Sequence, residues 1–220
     1  MTPLEPAASN WALPDPAKTP PGAELIGVGA VADTATMLAG YRLGLFAMEV
    51  SPGVLGWYSP DPRGVLPFDQ LRISRSLQKS RRRYRVTYDQ HFSEVVAACA
   101  SPARHGFWIT GGFEVAYASL HASGWAHSVE VWHGPQLVGG LFGVEVGGLF
   151  SGESMFHRER DASKVALMAL VARLDAAPGP RVLDVQWWTP HLGSLGAIKV
   201  PRSQYLANLH QVLPTPPAFE

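Results

Sequence analysis

The stretch from Ser128 to Phe156 sets the tightest limit on how this chain can fold. Three runs rich in Val, Leu and aromatics, Ser128–Trp132, Leu137–Val146 and Leu149–Phe156, follow one another closely, and only Gly147-Gly148 separates the last two. That pair of glycines between strand-like segments signals a hairpin. A fourth such run, Arg181–Trp188, follows a helical stretch from Ala162 to Asp175. Antiparallel strands, then a helix, then another strand imply a central sheet with helices against it, a mixed α+β fold. Further helices are predicted at Thr34–Leu43, with Asp33 as N-cap, and near Phe92–Ala100, Phe113–Ser123 and Arg202–Val212.

A length of 220 residues, with 46% hydrophobic and 16% charged residues, suits a compact chain with a sizeable core rather than a disordered one. Six prolines fall within the first 22 residues, so 1–23 is expected to be a loose tail. The expected units are then a small N-terminal domain over 24–67, a larger domain over 68–213 and a short tail over 214–220. No apolar run is long enough to span a bilayer, and the start lacks the basic and apolar regions of a secretory signal. Cys99 is the single cysteine, which excludes an internal disulfide and a cysteine-built zinc site. The expected setting is the cytoplasm, with no membrane partner, no metal and a monomeric state.

Eighteen basic residues balance eighteen acidic ones, yet they are segregated. Arg72, Arg75, Lys79, Arg81, Arg82, Arg83 and Arg85 stand together with no acid among them, which leaves the rest of the chain at a formal −7. Such a run is commonly a solvated face, but seven unanswered cations also suit a phosphate-bearing ligand.

Nucleotide-loop, dinucleotide-fingerprint, nucleophile-elbow and zinc-hydrolase motifs are all missing, and the eight histidines are scattered. Two polar placements are more informative. In Val182-Leu-Asp-Val-Gln-Trp-Trp188, Asp184 and Gln186 fall two apart on a strand and so share one face. Glu153 sits in a second apolar strand, within Gly152-Glu-Ser-Met-Phe156. Polar groups in apolar strands are costly unless they find partners or do work, although a strand face turned to water would also account for them.

These residues belong to a longer series of pieces: Trp57-Tyr-Ser-Pro-Asp-Pro-Arg63, Ser74-Arg-Ser-Leu77, Trp108-Ile109, Ala126-His-Ser-Val-Glu-Val-Trp132, Leu137-Val-Gly-Gly-Leu-Phe-Gly143, Gly152-Glu-Ser-Met-Phe156, Ala162-Ser-Lys164, Asp184-Val-Gln186 and Ser194-Leu-Gly-Ala197. In that order, over about Glu24 to Leu213, the chain resembles the bacterial leucyl/phenylalanyl-tRNA–protein transferases. The resemblance implies a C-terminal domain similar to the acyl-CoA N-acyltransferase (GNAT) fold behind a small N-terminal domain. It implies transfer of Leu or Phe, with Met a further donor to test, from aminoacyl-tRNA to the N-terminal Lys or Arg of a protein, which creates an N-degron. No cofactor is implied, because the aminoacyl ester is already activated.

Carried over by position, the family's catalytic pair falls on Asp184 and Gln186, and its substrate-cleft acid on Glu153. Trp108, Phe150, Met155, Leu167 and Leu183 match the pocket for the aminoacyl side chain, and Arg75, Lys79, Arg81, Arg82 and Arg83 match the cluster for the tRNA acceptor stem. The pattern departs at Gly29-Ala-Val-Ala32 and Phe46-Ala-Met48, which leaves open an aminoacyl-tRNA-dependent transferase with a small-molecule or other peptide acceptor. An acetyl-CoA N-acetyltransferase is disfavoured, since Arg158-Glu-Arg-Asp-Ala-Ser-Lys164 stands where the pyrophosphate turn would be.

The chemistry adds its own constraint. An α-amine has a pKa of about 7.7–8.0, so freeing it at neutral pH costs only about 1–1.4 kcal/mol. Aligning two bound substrates is worth about 7–11 kcal/mol, so positioning should dominate. Glutamine is no base, and the expected roles follow from that. Gln186 hydrogen-bonds the amine or ester, Asp184 orients the Gln186 amide, and Glu153 holds the aminoacyl ammonium.

Overall fold

The computed structural model describes residues 2–102 and 108–219. Two sheets organise it. A three-stranded antiparallel sheet is formed by β1 (Leu25–Val28), β2 (Phe46–Ser51) and β3 (Val54–Tyr58), in the order β1-β3-β2. Helix α1 (Thr34–Leu43) packs beside β2. Asp33 caps it by accepting the Thr36 N–H at 2.7 Å, and Gly44, in the left-handed region at φ 79°, ends it.

The large sheet has seven strands: β4 (Arg63–Val65), β5 (Arg85–Tyr88), β6 (Ala126–His133), β7 (Gln136–Val146), β8 (Leu149–His157), β9 (Val182–Gln186) and β10 (Ile198–Val200). Their order is β10-β4-β9-β8-β7-β6-β5, and every neighbouring pair is antiparallel except β8 with β9. The three predicted central runs are β6, β7 and β8, and the crossover from β8 to β9 is helix α5 (Ala162–Ala176), as parallel neighbours require. The fold is α+β.

On one face of β6 and β7, α3 (Phe92–Cys99) and α4 (Gly111–Ala122) cover Phe142, Val144 and Val146. On the other, α5 covers Val129, Val131, Val138 and Leu141. Helix α5 lies so close that a Cβ built on Gly139 would meet that of Ala162 at 2.5 Å. Glycine there sets the depth of the packing.

Several elements carry no clear signal in the sequence. The unit with one expected helix also holds the small sheet, and β4, from its end, pairs with β9 and β10 instead. The basic run begins helix α2 (Arg75–Arg81), capped by Ser74, with Leu77 and Ser80 buried toward α5. A short helix α6 (Pro190–Ser194) precedes β10, and α7 (Arg202–Val212), which the sequence does predict, closes the order.

Both expected tails lie on the body. Trp125 Nε1 donates to the Leu4 carbonyl at 2.9 Å, and Arg202 donates to the Thr19, Pro20 and Ala23 carbonyls. At the other end, Phe219 is buried and the Ala218 and Phe219 N–H groups donate to Glu145. A proline-rich segment cannot build its own core, but its carbonyls remain free to accept, and that is how the body holds it.

Candidate active site

The two parallel strands pair at only three positions, Leu149 with Val182, Phe150 with Leu183 and Ser151 with Asp184. Beyond them β8 and β9 part, and a cavity of about 460 Å³ opens between Gly152–Met155 on one side and Val185–Gln186 on the other. Its size falls in the range of about 300–1,000 Å³ typical of small-ligand sites. Leu141, Met155, Leu167, Leu170 and Leu183 make it largely apolar, and Glu153 and Gln186 are among its polar lining residues. Thr189, His191 and Leu192, from the start of α6 and the residue before it, complete the rim.

Gln186 owes its position to an unusual backbone. Its φ is +62°, in the left-handed region that costs a non-glycine residue on the order of 1–3 kcal/mol unless its surroundings impose it. Two features do so. The Asp184 carboxylate accepts the Gln186 N–H at 2.8 Å, and Gly64 faces the bulge without a side chain. A Cβ on Gly64 would lie 2.8 Å from the Trp188 nitrogen, so a glycine in β4 is what lets the end of β9 turn.

Asp184 is wholly buried and its partners account for its charge. Arg63 grips it with two hydrogen bonds, Nε to Oδ1 at 2.9 Å and Nη2 to Oδ2 at 2.6 Å, and the Tyr205 hydroxyl donates to Oδ2 at 2.8 Å. The guanidinium lies over the rings of Phe46, at 4.8 Å, and Tyr205, at 4.5 Å. Burial works against its charge, but Asp184, Tyr205 and Glu153 together more than offset that and drive the Arg63 pKa upward. A fork-to-fork pair of this kind leaves Asp184 no exposed lone pair with which to meet a substrate.

Glu153 is built differently. Tyr41 donates to its Oε1 at 2.9 Å, Ser151 at 3.1 Å and the Gln186 amide nitrogen at 3.1 Å, while Tyr117 donates to Oε2 at 2.6 Å. All four donors are neutral. Burial pushes the carboxyl pKa up, and the hydrogen bonds from Tyr117, Tyr41, Ser151 and Gln186 draw it partly back. Burial and the charge of Glu153 hold the Tyr41 and Tyr117 hydroxyls well above the ordinary phenol range, so both remain donors. Among the described residues Oε2 accepts one hydrogen bond, from Tyr117, and so keeps acceptor capacity.

The structure therefore brings Glu153, Met155, Leu167, Leu183 and Gln186 together on one cavity. Asp184 lies behind it, and it orients Gln186 through the backbone rather than through the side-chain amide, which Glu153 holds instead. Trp108 and Phe150 are off the lining. Trp108 packs edge-on to Phe113 and Tyr117, at 5.3 and 6.3 Å, and so supports a donor to Glu153. Phe150 is fully buried against Phe219 on the α5 side of the sheet.

Arg75, Lys79, Arg81, Arg82 and Arg83 are all exposed on and just after α2. The segment leading into α2 is tied to the loop after α6 by the Arg72 N–H, which donates to the Leu195 carbonyl at 2.9 Å. The basic face and the cavity rim thus share one support.

Tyr41, Tyr117, Arg63 and Tyr205 hold the two buried carboxylates, and sequence reasoning misses them. Arg63 has a signal: an acid inside an apolar strand calls for strong donors, and Arg63 closes the piece that begins at Trp57. The tyrosines have none, because a hydroxyl on an otherwise apolar helix face reads as core. Among the described residues, no group of three or more His, Cys, Asp or Glu could hold a metal ion. No helix among them is long and apolar enough to cross a membrane.

Fold and site define an α+β protein with a largely apolar cavity that an acid and an amide also line, and with an exposed basic helix. The sequence profile of the leucyl/phenylalanyl-tRNA protein transferases matches residues 65–210. Relatives that carry the name leucyl/phenylalanyl-tRNA–protein transferase include the following three. The one from Rhizorhabdus wittichii is 51% identical over 187 residues, covering 82% of this chain and 75% of its own. That from Tolumonas auensis is 45% identical over 203 residues, covering 90% and 86%. That from Ectopseudomonas mendocina is 44% identical over 218 residues, covering 94% and 96%. The chain belongs to the leucyl/phenylalanyl-tRNA protein transferase family.

Proposed function

We propose that this enzyme moves leucine or phenylalanine from its tRNA to the α-amine of a protein that begins with Lys or Arg, and so creates an N-degron. The observation that carries this reading is the cavity at the parting of β8 and β9. Its apolar wall suits a large aminoacyl side chain, and Glu153 at its end suits the aminoacyl ammonium. The exposed cations of α2 supply phosphate contacts for the acceptor stem, which give affinity without sequence readout.

In this reading the donor ester lies beside Gln186. The Gln186 amide nitrogen is committed to Glu153, so the amide oxygen, which has no partner among the described residues, is the group that accepts from the incoming amine. The amine nitrogen attacks the ester carbonyl, the C–N bond forms, and the C–O bond to the ribose breaks. Asp184 and Arg63 are positioning residues that fix the left-handed turn at Gln186.

The test is transfer itself. Purified protein is incubated with tRNA charged with radiolabelled Leu, Phe or Met and with a protein that begins with Arg or Lys. Label should pass into protein, and RNase or the Gln186→Ala substitution should stop it. Tight binding of charged tRNA without transfer would contradict the acceptor assigned here and direct attention to the Gly29–Ala32 and Phe46–Met48 segments.

A further inference from the structure

Attack by the amine leaves one step without an agent. The nitrogen must shed a proton as the C–N bond forms, and the ribose oxygen must gain one as the C–O bond breaks. Asp184 is shut away by Arg63 and Tyr205, and glutamine does not titrate near neutral pH. Glu153 has four internal donors, and the proposed function commits its remaining capacity to the aminoacyl ammonium. Of the residues that line the cavity, one other carries an acid–base side chain, and it is His191.

We infer that His191 is the proton carrier of the transfer reaction, taking the proton from the attacking amine and delivering it to the departing ribose oxygen. This rests on the function proposed above. Imidazole is the side chain whose ordinary titration lies nearest neutrality, so it both accepts and donates there. His91, His121, His127, His133 and His157 each engage a carboxylate, carbonyl or hydroxyl through a ring nitrogen. The rings of His191 and His210 have no such partner among the described residues, and of these two exposed histidines it is His191 that lines the cavity with Glu153 and Gln186.

The backbone beneath the ring is anchored. Thr189 Oγ1 accepts the Leu192 N–H at 3.2 Å, Ser194 Oγ donates to the His191 carbonyl at 2.6 Å, and Trp188 Nε1 donates to the Ala197 carbonyl at 2.9 Å. A free ring on a fixed backbone suits a group that must keep its place while it exchanges a proton. The step balances: the amine proton passes to a ring nitrogen as the tetrahedral intermediate forms, the ring returns a proton to the ribose oxygen, and amide and free tRNA result.

His191→Gln and His191→Ala are compared with the unaltered protein in the labelled transfer assay, with circular dichroism as a check on folding. General acid–base groups contribute about 10²–10⁴-fold, so kcat should fall by about 100-fold or more while KM for aminoacyl-tRNA stays nearly constant. Added imidazole should restore part of the His191→Ala rate in proportion to its concentration and leave the unaltered protein unchanged. Unaltered kcat in both variants would overturn the inference, and so would a loss in kcat that imidazole does not relieve or one that appears in KM. Absence of transfer by the unaltered protein would instead overturn the proposed function, and this inference with it.

Discussion

Two buried carboxylates stand on the neighbouring strands β8 and β9 and are held in opposite ways. Asp184 is paired to a full cation, with a phenol and a backbone N–H on its remaining positions. Glu153 is held by two phenols, a hydroxyl and an amide, with no cation among these donors. Full compensation yields a fixed strut, while a carboxylate held by neutral donors keeps a net charge that an incoming ammonium can answer. Under the proposed function the contrast gives Asp184 an architectural role and Glu153 a role in recognition, although both are acids in apolar strands.

The sharpest way to break the comparison is to remove the cation. Arg63→Met strips Asp184 of its partner and should cost about 3–5 kcal/mol in urea unfolding, whereas Arg63→Met with Asp184→Leu should recover much of that loss. Equal losses in the single and double variants would mean that the pair is not what the core requires there. Tyr117→Phe removes one neutral donor to Glu153 and should cost about 1–3 kcal/mol, with weaker aminoacyl-tRNA binding added.

Titration sharpens the difference. Because burial raises the Glu153 pKa, its folded form binds a proton more tightly than its unfolded form, so Glu153 favours folding below the unfolded value and loses that contribution as pH rises through the folded one. Glu153→Gln should therefore gain stability relative to the unaltered protein between acid and neutral pH, as read by melting temperature at each pH. A difference that runs the other way would mean that the four donors outweigh burial. The smallest effect on folding belongs to the basic helix. Arg81→Ala or Arg82→Ala should change stability by less than about 0.5 kcal/mol, since both are exposed. Each should nonetheless lower the salt dependence of tRNA binding by about one unit of slope for every phosphate that it neutralises.

The contrast also shows why part of the site is legible in the sequence and part is not. The hairpin at Gly147-Gly148, the crossover helix and the pairing of Asp184 with Gln186 on one strand follow from period and spacing. The left-handed turn at Gln186 does not, because it depends on a glycine more than a hundred positions away, Gly64, that has no meaning until β4 lies beside β9. The expectation that Asp184 orients the Gln186 amide has the right residues and the wrong atoms. Period-two reasoning places side chains on a face, and a positive φ rotates the residue out of that period. Trp108, expected in the pocket, stands one layer behind it on the ring of Tyr117, because an apolar pocket and an apolar core present the same pattern along the chain.

The pH dependence of kcat/KM for the Asp184→Asn variant tests the central claim most directly. If Asp184 is a strut, the loss should be the same at every pH, so that the profile runs parallel to that of the unaltered protein. A loss that disappears as the pH is raised, when the amine frees itself, would show that Asp184 takes the proton and would contradict the account.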